Sequence, residues 1–146
     1  MSHARQQIRD AIIMQVTGLP TTGANVYQSR VRVFDTLPCL NVLTISEDLD
    51  ADNSQMRGIQ ARELQIDIEV RIKSPLNLDD SLDTIAVEIE SAIADDSTLG
   101  GLVKFIELQG TEIEFDDDLE QPVGQMTMRW LCLYLIDSGN PELIIS

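Results

Sequence analysis

Apolar residues return along this chain with two different periods, and the switches between them divide it into elements. Ala4, Ile8, Ala11, Ile12 and Val16 recur every three or four positions, which is the period of one helix face, and Ser2 stands where a cap belongs. Gly18 and Pro20 close that helix, and Leu19 to Asn25 reads as a loop. From Val26 to Phe34 the period falls to two, with Arg30 and Arg32 on one face and Val31 and Val33 on the other, which predicts a strand. A turn at Asp35 to Pro38 leads into Cys39 to Ile45, a run apolar enough for an interior strand.

Ser46 to Gly58 is polar and longer than most hairpin loops. The clearest alternation follows, where Leu64, Ile66, Ile68, Val70 and Ile72 interleave with Glu63, Gln65, Asp67, Glu69, Arg71 and Lys73. One face of that strand is core and the other is charged. Pro75 ends it, and Asn77 or Asp79 is placed to cap a second helix whose apolar stripe is Leu78, Leu82, Ile85, Ala86, Ile89 and Ile93. The helix should stop near Asp95 to Ser97, with Gly100-Gly101 as its C-terminal cap. Val103 to Phe115 changes phase at Gly110, since Ile106 and Leu108 share one parity and Ile113 and Phe115 the other, so a bulged strand is predicted. After an acidic turn, Val123 to Asp137 places Met126, Met128, Trp130, Cys132, Tyr134 and Ile136 on one face and Leu131, Leu133 and Leu135 on the other. Trp130, the only tryptophan, is expected to be buried.

The order helix, two or three strands, helix, two strands predicts an α+β domain: a mainly antiparallel sheet of four to five strands with two helices packed on one face. The 146 residues fit one domain, with 138–146 as a flexible tail.

Charge sharpens this picture. Ten basic residues face twenty-five acids, for a net −15, and the imbalance sits almost wholly in the second half. Residues 1–73 hold eight bases and nine acids, whereas residues 74–146 hold two bases and sixteen acids. Such a chain lacks the basic surface with which duplex binders neutralise phosphates, or with which proteins dock on anionic membranes. Cys39 and Cys132 lie in apolar runs without CxxC spacing, which suits buried thiols rather than a zinc site or a disulfide framework. No apolar run reaches the length of a membrane span, and Arg9 and Asp10 interrupt what would be a signal-peptide core, so synthesis in the cytoplasm is expected.

Candidate chemistry is sparse. His3 is the single histidine, and no serine or cysteine stands in a nucleophile elbow. Carboxylates abound but lie in polar runs, where nothing raises one of them into the range of a general acid. Asp48, Asp50 and Asp52 resemble the start of a calcium loop, yet the glycine and terminal glutamate of that loop are missing. Neither an enzyme, a cofactor nor a specific metal site is expected. The densest acidic run, with Asp116, Asp117, Asp118 and Glu120, must face water, a lumen or loosely attracted cations.

Element order and several short stretches resemble a family. Val31-Arg32-Val33-Phe34-Asp35, Leu37-Pro38-Cys39-Leu40-Asn41-Val42, the acidic Glu47-Asp48-Leu49-Asp50, the alternating Glu63 to Val70 strand, the helix opened by Asn77-Leu78-Asp79-Asp80 and the Asp116-Asp117-Asp118 turn are similar to the tail terminators of long, non-contractile-tailed bacteriophages, also called tail completion proteins or minor tail protein U. The resemblance spans residues 3 to about 137. It implies a structural virion protein, assembled in the host cytoplasm, that forms a homohexameric ring on the end of the tail tube. Such a ring halts tube polymerisation, meets the tail tube protein and the head-side connector protein, and lets DNA pass without specific binding. Another head-tail joining or neck protein, or an acidic DNA mimic, would also fit the charge. For a ring, the residues expected at subunit or tube contacts are Glu47, Asp48, Asp50, Asp52 and Arg57 in the polar loop and Asp67, Glu69 and Arg71 on the charged strand face. Glu69 and Arg71, two apart on one face, would pair reciprocally with a neighbouring subunit.

Overall fold

A computed structural model describes residues 2–28, 37–50, 58–73, 77–116 and 123–145, with Asp116 described by its backbone alone. The first helix, α1 (Ala4–Val16), buries Ala4, Ile8, Ile12 and Val16 as one stripe. Its cap is His3, not Ser2: the Nδ1 of His3 accepts the Arg5 N–H at 3.1 Å. Burial and then the neighbouring Arg5 charge hold the His3 imidazole below its ordinary pKa, which suits a nitrogen that must stay unprotonated to accept.

The strands are β1 (Val26–Tyr27), β2 (Cys39–Asp50), β3 (Ile59–Lys73), β4 (Phe105–Asp116), β5 (Val123–Asp137) and β6 (Asn140–Ile145), and α2 (Leu78–Asp95) lies between β3 and β4. They form one six-stranded sheet in the order β1-β2-β3-β5-β4, with β6 also paired to β5. The fold is thus α+β, but its sheet is mixed, because β1 runs parallel to β2 while the other pairs are antiparallel. A parallel pair cannot be joined by a turn of a few residues alone, such as the one expected at Asp35 to Pro38. Of the strand expected over Val26 to Phe34, only the first two residues belong to β1, and 29–36 lie outside the described residues.

Two further expectations change. Glu47 to Asp50 belong to β2, where they pair with Leu64 to Ala61, so the polar loop starts later than the composition indicated. Acidic side chains do not prevent a strand when each backbone group finds a ladder partner. Residues 140–145 are a strand rather than a loose tail: Leu135 and Ile136 pair with Ile145 and Ile144, and the Gln7 amide donates to the Glu142 carbonyl at 2.9 Å.

The expected bulge is present in β4, whose register against β5 shifts between Leu108 and Gly110. A second bulge, in β2 between Thr44 and Ser46, was not foreseen. Asn77 occupies the N-cap of α2 at φ 55° without a side-chain cap bond, so the first-turn acids Asp79 and Asp80 are what complements the positive end of that helix. The helix stops at Asp96, whose N–H returns to the Ile93 carbonyl, and Gly100-Gly101 turn the chain toward β4 instead of capping the helix.

Both helices cover the same sheet face. Leu40, Val42, Leu64, Ile66, Ile68, Val70, Met126, Met128, Trp130 and Tyr134 meet Ile8, Ile12, Leu82, Ile85, Ile89 and Ile93 in one core. Trp130 is buried at its centre as expected. Cys39 and Cys132 are buried free thiols, and burial pushes the Cys132 pKa up to about 12. Among the described residues, no helix is long and apolar enough to cross a membrane.

Candidate functional site

The surface left by this architecture has three parts: a charge knot under α1, the sheet face opposite the helices, and the two flanks of the sheet.

The knot centres on Glu47. One extra residue at the β2 bulge shifts the alternation, so that Glu47 falls opposite Leu64 and points toward the helices. There the Arg5 Nη1 meets Oε2 at 2.5 Å, the Arg62 Nη1 stands 3.5 Å from the same oxygen, and the Tyr134 hydroxyl donates to Oε1. Burial, and then the hydrogen bond to a carboxylate, raise the Tyr134 pKa well above the ordinary phenol value. Glu47 therefore ties α1, β2, β3 and β5 together and does not offer a free carboxylate to a neighbour. Arg5, Arg62 and Tyr134 were not foreseen at a site. The signal was present in the alternation: Arg62 and Tyr134 both sit on core parity, where a polar group needs a partner.

The second part is the sheet face away from the helices. Here β3 and β5 bring Arg71 beside Gln125, Glu69 beside Thr127, Asp67 beside Arg129 and Gln65 beside Leu131. Glu69 is only 4% exposed and accepts from the Asn41 amide at 3.3 Å and the Gln125 amide at 3.4 Å. Reciprocal pairing of Glu69 with another subunit would have to break those bonds first. Asp67 accepts from Gln65 at 3.4 Å, and its pKa is raised chiefly by burial, against the opposing pull of Arg129. Arg129 reaches across to Glu112 at 2.9 Å. Asp48 lies opposite Glu63, and Asp50 opposite Ala61. Asp52, Arg57, Asp117, Asp118 and Glu120 lie outside the described residues, as does the Asp116 side chain.

Toward the other end the same face turns apolar. Leu131, Leu133 and Leu135 follow one another along β5 with Phe105 paired to Leu133, all partly exposed, and none of them belongs to the helix-side core or packs against it. Among the described residues, neither helix reaches this row. No family model matches the chain, and no curated protein is significantly similar to it. The site therefore stands on its own geometry.

At the flanks, large apolar side chains face water. Ile113 and Phe115 on β4 are 49% and 54% exposed, and Ile45 and Leu49 on β2 are 42% and 63% exposed. A cleft of about 450 Å³ beside Phe115 is lined by Asn77, Leu78, Asp79 and Asp80, and one of about 340 Å³ at the β2 bulge is lined by Arg5, Thr44, Ile45, Ser46 and Glu47. Among the described residues no group of three metal-ligating side chains converges. What the arrangement offers chemically is surface for another protein: an apolar row with a polar margin and two apolar flanks.

Proposed function

We propose that this chain is a phage tail terminator, a ring subunit that seats on the end of the tail tube, stops its growth and presents a surface to the head-side connector. The resemblance in element order and short stretches supports this family. The observation that carries the reading is the row Leu131, Leu133, Leu135 with Phe105 on the sheet face that the helices leave uncovered. An antiparallel sheet with one solvated face normally alternates to polar residues on that face, and an apolar row there that is only partly buried is the kind of surface that meets another protein. The acidity of the chain agrees with a ring through which DNA slides, since carboxylates repel phosphates. In this reading the partners are further copies of the chain, the tail tube protein and the connector, and the place of action is the virion tail.

Negative-stain microscopy of the protein alone and mixed with tail tubes tests this. Six-fold rings at tube ends are the expected result, and Leu133→Lys should abolish them while leaving the thermal melt of the chain near that of the parent. A protein that stays monomeric and never appears on tube ends, at any concentration, would overturn the reading.

A further inference from the structure

The two flanks of the sheet differ in charge as well as in position. On the helix side of the β2 flank stand Arg5 and Arg9; among the described residues Arg9 bonds neutral partners, the Thr44 hydroxyl at 3.0 Å and the Gln28 amide oxygen at 3.1 Å, which do not offset its charge. Glu47 is shared between Arg5 and Arg62, so those three groups together carry one positive charge. Asp48 is on the other face of the sheet, beside Glu63. On the helix side of the β4 flank the sign is reversed. Asp79 and Asp80 line the cleft beside Phe115, and Asp83 follows one turn along α2. Each flank also holds its own exposed apolar pair, Ile45 with Leu49 and Ile113 with Phe115.

We infer that these flanks are the two halves of one head-to-tail contact, in which the β4–α2 flank of one copy seats on the β2–α1 flank of the next. The inference rests on the ring reading above and names the surfaces that close the ring. Charge complementarity selects the occupant. A symmetric contact of the β4 flank with itself would oppose Asp79 and Asp80 to their own copies, and one between two β2 flanks would oppose arginines. Joining unlike flanks instead brings apolar pair to apolar pair with opposite charges at the margin, and burying the apolar pairs strengthens the ion pairs around them. Because the flanks lie on opposite sides of one sheet, each copy offers both halves at once. A heterologous contact of this kind closes into a ring when the rotation per subunit allows it.

Two variants test the contact: Phe115→Lys, which disables the acidic flank, and Leu49→Glu, which disables the basic one. Both side chains are more than half exposed, so the fold should tolerate them, and thermal melts confirm it; Ile113→Lys and Ile45→Glu replace either one that melts low. Sedimentation velocity is run at a salt concentration where the parent is oligomeric. Each variant alone should fall from the hexameric mass to the 16.3 kDa monomer, and an equal mixture of the two should associate again, because one intact acidic flank then meets one intact basic flank. Retention of the parental mass by either variant alone overturns the contact, as does a mixture that stays monomeric. An oligomeric parent with insensitive variants refutes this contact alone, whereas a parent that is monomeric in solution and absent from tube ends refutes the ring itself.

Discussion

Asp67 shows how a single side chain reports on this sheet. Burial raises its pKa, so the folded protein binds a proton there more readily than the unfolded chain does. Its favourable contribution is complete below the ordinary aspartate value of about 3.9 and is lost as pH climbs through the raised folded value. At neutral pH the carboxylate is a net cost. Asp67→Asn should therefore melt at a higher temperature than the parent at pH 7, and the difference should vanish below about pH 3.9; equal melting temperatures at both pH values would refute the argument. Glu47 is placed differently, with two arginines and a tyrosine on its carboxylate. Hydrogen bonds to charged groups contribute roughly 1.5–3 kcal/mol, so Glu47→Gln is expected to cost about that much in a urea titration. Both residues had been placed together as contact candidates from composition. They differ because a bulge turned one of them toward the helices, and no count of acids reveals a bulge.

At the level of elements, the seat of α2 depends on a missing side chain. Gly124 in β5 lies directly under Leu78, the first residue of the helix, and a Cβ there would come within 2.7 Å of the Leu78 Cδ2 and 2.9 Å of its Cγ. Crowding of this kind typically costs 1–3 kcal/mol, roughly the expected loss for Gly124→Ala on chemical denaturation. Leu78→Ala in the same chain should recover part of that loss by making room. The elements themselves were legible in the sequence wherever burial alternates cleanly. The core stripes of α1 and α2, the even positions of β3 and β5 and the phase change in β4 all follow from period alone. Three things were not legible. Parallel pairing of β1 depends on which chain segment lies alongside β2, β6 depends on an edge of β5 left open beyond Leu133, and the bulge in β2 is a register choice between two strands. Each is settled by a distant partner, and the residues concerned hold no local sign of it. The leucine row of β5 was visible in the sequence as a second apolar face of that strand, whereas the helices cover only the first.

For the whole molecule, net charge would oppose the proposed ring. Six copies at −15 each amount to −90, and sixteen of the twenty-five acids of every copy lie in the second half of the chain. Repulsion between such copies is long-ranged at 0.01 M salt, where the Debye length is about 30 Å, and largely screened at 0.1 M, where it is about 10 Å. Ion pairs at the proposed flank contact would be shorter than either length, and partly buried pairs are screened less than exposed ones. Added salt should therefore remove more repulsion than attraction, and the oligomeric fraction should rise between 0.01 and 0.1 M in sedimentation velocity. A fraction that falls steadily from the lowest salt upward would mean that flank attraction, and not net charge, governs the equilibrium. Repeating the series with Mg²⁺ at matched ionic strength separates screening from site binding: equal responses to Na⁺ and Mg²⁺ leave screening as the whole effect.

The position of β5 in the chain has a consequence for biosynthesis. This strand is the spine of the sheet, flanked by β3 along one side and by β4 and β6 along the other, yet at residues 123–137 it follows both β3 and β4 in the chain. A growing polypeptide that has emerged as far as β4 holds β3 and β4 with their shared neighbour still missing, so the apolar faces of both must wait. Most of the sheet can close only after residues 123–137 have been made, and a ribosome that stalls short of residue 123 would release strands with open edges, the kind of surface that aggregates. Closure of the sheet is therefore deferred until the strand that joins its two halves has been made.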